Sequence, residues 1–177
     1  MSIVKGVAST IPGFPSIEIE IGKVRSILHY MQAAGIHYGP KPGGKVIPIT
    51  SSPPTCVPAG NLDCSGFHRY VLLHAAGLLL PDGSVNQCDW YAAEGFKHHP
   101  IPGPDDPAYL QALDPDVLYA CFCRQGSRGE SWGHVWLTFG GWTYESHGGV
   151  GPDSRRFDSP ILSHIVTDVY AVARLAR

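Results

Sequence analysis

The sequence predicts an α+β fold in which helices come first and an antiparallel sheet follows. Residues 18–34 and 64–76 show apolar side chains at the three- and four-residue spacing of a helix face. After residue 117 the pattern changes to the two-residue alternation of strands, rich in β-branched and aromatic side chains. A chain of 177 residues has room for one domain with a hydrophobic core. We therefore expect a single domain over residues 1–177, with residues 1–17 as an N-terminal extension.

The first helix is predicted from an apolar stripe that ends at a glycine. Val24, Ile27, Leu28 and Met31 follow the i, i+3, i+4, i+7 pattern, and Gly35 supplies a helix stop. Residues 37–60 then carry many prolines and glycines without periodicity, so we expect an irregular loop there.

The second helix is predicted from its two ends. Asp63 is a good N-cap residue in front of an apolar helical pattern, and Gly77 is a good C-cap residue behind it. The helix should therefore run from Cys64 to about Ala76, with Cys64 in its first turn.

The remaining chain is predicted to be loops followed by strands. Residues 81–107 are rich in turn signals, with a short helical piece at 89–96 and a loop through His98 and His99. The strand candidates are residues 117–123, 134–139, 142–147 and 165–173.

The net charge and the short apolar runs argue against binding to nucleic acids and to membranes. The net charge is -2 and no basic stripe is present, so we expect neither nucleic-acid nor membrane-surface binding. Residues 1–15 lack the charged and apolar regions of a secretory signal, and no apolar run is long enough to span a bilayer. We therefore expect a soluble chain without a Sec-type address.

The number of cysteines predicts at least one free thiol. An odd number cannot all be paired within the chain. The five cysteines are Cys56, Cys64, Cys88, Cys121 and Cys123.

Cys64 is the candidate nucleophile. In the first turn of a helix, unpaired N–H groups and the positive dipole end favour a thiolate. Ser65 and Gly66 are small, which leaves room for a substrate carbonyl near backbone N–H groups. The alternative is an inert cysteine buried beside an apolar helix.

His134 is the candidate general base. It is the first residue of a predicted strand, and it lies on the face opposite to the apolar one, where it has access to a cleft. Val135, Leu137 and Phe139 alternate onto one face, so His134 and Trp136 take the other.

The strand continues into a predicted hairpin. Gly140-Gly141 is a two-residue turn signal, and counting outward from it pairs Trp136 with Glu145 and His134 with His147. His134 then has two polar neighbours on its face that could orient it. At the turn itself, we expect Trp142 in the core.

Three strings of the sequence resemble the NlpC-type cell-wall peptidases, a family of papain-like cysteine peptidases. They are Asp-Cys-Ser-Gly-Phe at 63–67, Gly-His-Val at 133–135 and the strand 142–147. Tyr38, in Ile-His-Tyr-Gly, and the stretch 113–118 before a strand are further likenesses, so the resemblance covers about residues 18–173. His68 departs from the family pattern, where an aliphatic residue is commoner.

The resemblance implies a papain-like fold, with the nucleophile at a helix N-terminus packed on an antiparallel sheet, and no metal or other cofactor. Cys64 and His134 would be catalytic. The third catalytic residue would be Glu145 or His147, and we favour Glu145 because an ionised acceptor holds the imidazole N–H well. The implied substrate-binding residues are Tyr38, Asp63 and Ser65.

The implied reaction is hydrolysis of amide bonds in peptidoglycan stem peptides, typically involving D-glutamate and diaminopimelate. Without a Sec signal, the chain would act at the wall, in the periplasm or outside the cell, after non-Sec delivery or phage lysis, and otherwise in the cytoplasm. Delivery machinery or an immunity protein would then be partners of a monomeric enzyme.

Other functions stay open at this point. The same fold could carry out acyl transfer, hydrolyse an amide that is not part of the wall, or bind glycopeptide without cleaving it. A metal-binding or structural module is also conceivable, although its residues do not match the usual zinc spacing. Its candidate ligands are Cys56, Cys121, Cys123, His98 and His99.

Overall fold

The described part of the chain is α+β, with three helices and an antiparallel sheet, as predicted. The computed structural model describes residues 6–7, 17, 19–39, 60–99, 101, 113–157 and 164–175. The helices are α1 (Ile21–Ala33), α2 (Cys64–Ala76) and α3 (Ser84–Ala93). The strands are β1 (Gly6–Val7), β2 (His98–His99), β3 (Val117–Cys123), β4 (His134–Phe139), β5 (Trp142–His147), β6 (Gly151–Asp153) and β7 (Asp168–Leu175).

The strands form one sheet in the order β1-β7-β3-β4-β5-β6, and β2 also pairs with β7. These strands pair antiparallel with their neighbours. β1 lies within the expected N-terminal extension, so Gly6–Val7 adds a strand to the sheet. The expected loop at residues 40–59 lies outside the described residues.

The predicted ends of α2 are confirmed. Asp63 Oδ1 accepts a hydrogen bond from the Gly66 amide at 2.6 Å, which satisfies one of the unpaired donors of the first turn. At the other end Gly77 has φ 69°, the left-handed conformation that only glycine adopts without strain. α1 and its buried stripe are confirmed as well.

The predicted hairpin register between β4 and β5 is confirmed where the ladder is formed. Phe139 pairs with Trp142, and Leu137 pairs with Tyr144. Gly140 and Gly141 have φ values of 58° and 80°, as a two-residue turn of this type requires.

Three predicted boundaries were wrong. The helical piece expected at 89–96 is α3 at Ser84–Ala93, because the turn at 81–83 starts it earlier and Gly95, with φ 76°, follows its end. His98 and His99 form β2 instead of a loop, since β7 offers them an edge to pair with. The strand expected at 165–173 is β7 at Asp168–Leu175, because Ile165 and Val166 pack into a core before the ladder begins.

The sheet separates two apolar clusters. α1 packs on α2 and β6, and α2 packs on β4 and β5. Val135, Leu137 and Phe139 belong to the cluster that includes helix residues, whereas Trp136 belongs to a second cluster with residues of β3 and β7. The predicted alternation of β4 is therefore confirmed.

Trp142 does not lie in the core, which corrects the prediction. It is 43% exposed. It is exposed because it directly follows the turn, at the tip of the hairpin. The Arg156 guanidinium lies over its ring, 5.5 Å from the ring centroid. In the described part of the chain, no helix is both long and apolar enough to span a bilayer.

Candidate active site

Cys64 is the first residue of α2 and faces the start of β4. Its side chain is nearly buried, and its Sγ lies 4.0 Å from the carbonyl oxygen of Gly133. Because Gly133 directly precedes His134, this contact brings the sulfur to the end of the strand that carries the candidate base.

The other cysteines that the structure describes have raised pKa values. Burial raises the pKa of Cys88 to about 12 and that of Cys123 to about 11, and it raises the pKa of Cys121 well above its ordinary value. These three thiols therefore stay protonated near neutral pH. Cys56 lies outside the described residues.

His134 is buried and hydrogen-bonded to groups on both sides. Its Nε2 lies 2.8 Å from Glu145 Oε2, and the Cys64 side chain is within hydrogen-bonding range of the same imidazole. Burial disfavours the imidazolium, but the hydrogen bonds and charges of Cys64 and Glu145 outweigh burial and raise the pKa of His134 to about 9. The site therefore favours the protonated imidazole, the form that His134 takes after it accepts a proton.

The contact with Glu145 also decides which imidazole nitrogen exchanges protons. A carboxylate only accepts hydrogen bonds, so Nε2 of His134 must carry a proton. Nδ1 is then the nitrogen left to take a proton from Cys64 and return it.

Glu145 is a fully buried carboxylate with several donors. Besides His134, Thr143 Oγ1 donates to its Oε1 at 2.8 Å, and the Arg155 guanidinium donates to both oxygens. Burial raises the pKa of Glu145, but His134 and Arg155 outweigh burial and lower it to about 2. Glu145 is therefore ionised across the neutral range.

His147 has a different partner. Its Nε2 lies 3.3 Å from Asp153 Oδ2 on β6. Of the two residues that the sequence left open for orienting His134, the structure places Glu145 against the imidazole and His147 in hydrogen-bond contact with Asp153.

Tyr38 lies at the site because its segment is held beside the residues that precede α2. His37 forms a parallel bridge with Asn61, and the Leu62 amide donates to the His37 carbonyl at 2.9 Å. Burial raises the pKa of Tyr38 to about 12, aided by the charges of Cys64 and Asp63 and by a hydrogen bond with Cys64. The phenol therefore stays protonated and can donate a hydrogen bond.

A glycine on β6 lets the segment that carries Tyr38 approach the sheet. At Gly151, with φ 107°, a Cβ would lie 2.7 Å from the carbonyl oxygen of Ile36 and 3.0 Å from the Tyr38 nitrogen. A larger residue would displace this backbone.

Asp63 and Ser65 are engaged in the helix cap. Ser65 Oγ donates to Asp63 Oδ1 at 3.0 Å, and the same oxygen accepts from the Gly66 amide. In this state both side chains hold the first turn of α2 in place, while substrate binding by either stays a prediction.

The candidate metal ligands are dispersed. Among the described residues, no group of three or more His, Cys, Asp or Glu side chains could hold a metal ion. Cys121 and Cys123 share a core face of β3, and His98 Nε2 lies 3.5 Å from Asp168 Oδ1.

Sequence reasoning missed two residues next to the candidate triad. Arg155 contacts Glu145, and a signal for such a residue existed, because a buried carboxylate requires a cation or several donors. Trp132 is 45% exposed, with its ring 5.7 Å from that of His134, and no periodic pattern marked it.

Comparisons with known proteins give structural neighbours only: no family model matches the sequence, and no curated protein matches it. One solved structure similar to this chain is an NlpC/P60 family protein from Bacillus cereus ATCC 10987. It has 18% identity and a TM-score of 0.43, over 64% of this chain and 34% of that chain. Another, from Staphylococcus aureus subsp. aureus Mu50, is described as similar to a lipoprotein of the NLP/P60 family. It has 18% identity and a TM-score of 0.48, over 93% of this chain and 44% of that chain. This chain thus spans less than half of either neighbour, and both neighbours carry the name of the family that the sequence motifs resemble.

Proposed function

We propose that this chain is a cysteine hydrolase of papain-like arrangement that cleaves amide bonds. Cys64 is the nucleophile, His134 the general base and acid, and Glu145 the residue that orients His134. The observation that carries the proposal is the buried row of contacts from Cys64 through His134 to Glu145. A base held between a thiol and a fixed carboxylate is the arrangement that nucleophilic catalysis by cysteine requires.

The first half of the proposed reaction forms an acyl-enzyme. The proton of the Cys64 thiol moves to Nδ1 of His134, and the thiolate adds to the carbonyl carbon of the substrate amide. The amide nitrogen then takes the proton from His134, the C–N bond breaks and the amine leaves. Glu145 stays ionised throughout and stabilises the imidazolium.

The tetrahedral oxyanion needs donors near Cys64. The first N–H groups of an α-helix have no partner inside the helix, which makes the Cys64 amide a donor for that oxygen. Tyr38, whose phenol stays protonated and is within hydrogen-bonding range of Cys64, adds a side-chain donor next to the sulfur.

The second half of the reaction consumes water. His134 takes a proton from a water molecule, the hydroxide adds to the thioester carbon, and the C–S bond breaks. The thiolate takes back its proton through His134, and the carboxylic acid leaves. Acyl transfer would follow the same path with an amine in place of water, so the acceptor distinguishes the two reactions.

We propose peptidoglycan stem peptides as the substrate class, on the basis of the sequence resemblance. Delivery to the wall by phage lysis or by a secretion system other than Sec, with an immunity protein in the producing cell, belongs to the same proposal. Neither statement follows from the geometry of the site.

The experiment that tests this function is incubation with purified muropeptides of several chemotypes, with products identified by mass spectrometry. We expect an amide bond of the stem peptide to be cut with the gain of one water. Cys64→Ala should abolish cleavage, whereas Cys88→Ala, which removes a buried thiol outside the site, should retain it. Products that carry an added amine would instead identify an acyltransferase. Intact muropeptides of every chemotype, or cleavage by Cys64→Ala, would contradict the proposal.

A further inference from the structure

Glu145 has a second charged partner that the proposed reaction does not use directly. Arg155 Nε lies 2.9 Å from Glu145 Oε1, and Arg155 Nη2 lies 3.2 Å from Glu145 Oε2. The guanidinium therefore binds both oxygens of a carboxylate that is fully buried.

The backbone fixes Arg155 in this position. The Thr143 amide donates to the Arg155 carbonyl at 2.9 Å, and the Arg155 amide donates to Thr143 Oγ1 at 3.2 Å. The same Thr143 hydroxyl donates to Glu145 at 2.8 Å. One threonine of β5 thus aligns the arginine and the carboxylate together.

We propose that Arg155 is a positioning residue that acts through Glu145: its two-point contact fixes the carboxylate against His134 and balances the charge of that carboxylate beside the thiolate–imidazolium pair. This inference deepens the proposed function and rests on it. Arg155 contacts Glu145, and Glu145 contacts His134, so the carboxylate is the route by which the arginine acts on the imidazole.

Charge balance explains why the site needs this cation. In the state ready for attack, Cys64 and Glu145 are negative, whereas His134 and Arg155 are positive, and the four charges sum to zero. Without Arg155 a net negative charge would remain in a buried site, which is costly. Without the cation, we expect Cys64 to release its proton only at a higher pH.

Other groups that face Glu145 and His134 do not supply this balance. Cys121 on β3 is a buried thiol that stays neutral, because burial and the charge of Glu145 raise its pKa well above its ordinary value. Tyr38 stays protonated beside Cys64, and Asp63 adds a further negative charge there. On β5 and β6, His147 and Asp153 pair with each other.

The test compares Arg155→Gln with Arg156→Gln, a matched change at the next residue, whose guanidinium lies over the ring of Trp142 instead. The measurement is the rate of Cys64 alkylation by iodoacetamide against pH, followed by peptide mapping. We expect Arg155→Gln to move the rise of this profile to higher pH by about one unit, because a nearby opposite charge shifts a titration by that order. Arg156→Gln should leave the pH profile of Cys64 alkylation unchanged. Coincident profiles for Arg155→Gln and the wild type would overturn the proposal.

Two further variants keep the test decisive if Arg155→Gln does not fold. Arg155→Lys retains the cation and loses the two-point contact, so its profile should move less than about one unit. In the Glu145→Gln background, adding Arg155→Gln should cause no further shift, because the residue acts through the carboxylate. A full shift in that background would contradict action through Glu145.

The outcome separates this inference from the proposed function. Alkylation needs no substrate, and the titration of the His134 imidazole, followed by NMR, needs neither substrate nor a reactive thiol. If no muropeptide is cut, the proposed function fails, and a shift of the His134 titration by Arg155→Gln still supports the coupling. If muropeptides are cut and Arg155→Gln moves neither titration, only the role of Arg155 fails.

Discussion

At the scale of single residues, the site depends on how buried polar groups are paired. His134 and Glu145 are both buried, and each has the partner that the other requires. Local signals predicted Cys64 and the facing of His134, because a helix cap and a strand period act over a few residues. Tyr38 reaches the site from a segment distant in sequence, and the sequence offered it only through the family resemblance. Arg155 reaches Glu145 from beyond β6, and the need of a buried carboxylate for a cation signals such a partner without identifying the residue.

The identity of the orienting residue is testable with two conservative variants. Glu145→Gln keeps an acceptor for His134 and loses the charge that stabilises the imidazolium. A hydrogen bond to a charged group contributes about 1.5–3 kcal/mol, so we expect kcat/KM to fall about 10- to 100-fold. His147→Gln, which changes a residue paired with Asp153, should lower kcat/KM less than about threefold. The reverse ranking of the two variants would assign the role to His147.

At the scale of elements, α2 is held by a buried network that His68 organises. Gln87 Nε2 donates to the carbonyls of Ser65 at 2.9 Å and Pro81 at 3.0 Å, so its Oε1 faces His68 Nδ1 at 2.9 Å and accepts from it. His68 Nε2 is then the acceptor for the Tyr91 hydroxyl at 3.2 Å. The histidine at position 68 thus has a structural explanation, since it binds two side chains of α3, and one of these, Gln87, in turn holds the first turn of α2.

Removing the centre of this network should destabilise the fold. Gln87→Ala leaves the buried His68 N–H without its acceptor, which costs about 1–3 kcal/mol, and it also removes the side-chain donor of the Ser65 and Pro81 carbonyls. We expect the free energy of unfolding in urea to fall by about 2–4 kcal/mol. The control is Asn86→Ala, which removes an exposed hydrogen bond to the Asp82 carbonyl and should cost less than about 1 kcal/mol. Equal losses in the two variants would contradict this account of the network.

The elements also show where sequence patterns are sufficient. α2, β3, β4 and β5 begin and end where predicted, because caps, glycine turns and alternation encode them locally. β2 forms because β7 offers an edge, and β7 begins after Ile165 and Val166 have packed into a core. Those boundaries are set by tertiary contacts, and the local pattern does not contain them.

At the scale of the whole molecule, the buried ionisable groups make stability depend on pH. His134, with a pKa raised to about 9 from 6.5, contributes stability that is complete below about pH 6.5 and is lost as the pH rises through 9. Glu145, with a pKa lowered to about 2, contributes stability that is complete above about pH 4.5 and is lost as the pH falls towards 2. Burial lowers the pKa of His68 to about 4, so its contribution is lost as the pH falls from 6.5 through 4.

This linkage predicts a stability maximum near pH 6.5 and a decline on both sides. His134→Gln should flatten the decline between pH 7 and pH 9, because the group that releases its proton there is gone. The measurement is the free energy of unfolding in urea at pH 5, 7 and 9 for both proteins. An unchanged alkaline slope in His134→Gln would assign that slope to other groups.

The central claim, that His134 activates Cys64 as a nucleophile, is tested most directly by alkylation with iodoacetamide at pH 7 and peptide mapping of each cysteine. We expect Cys64 to react at least about tenfold faster than Cys88, Cys121 and Cys123, whose pKa values are raised by burial. We expect His134→Ala to slow the reaction of Cys64 by a similar factor. Equal rates at all four cysteines, or an unchanged Cys64 rate in His134→Ala, would contradict the account.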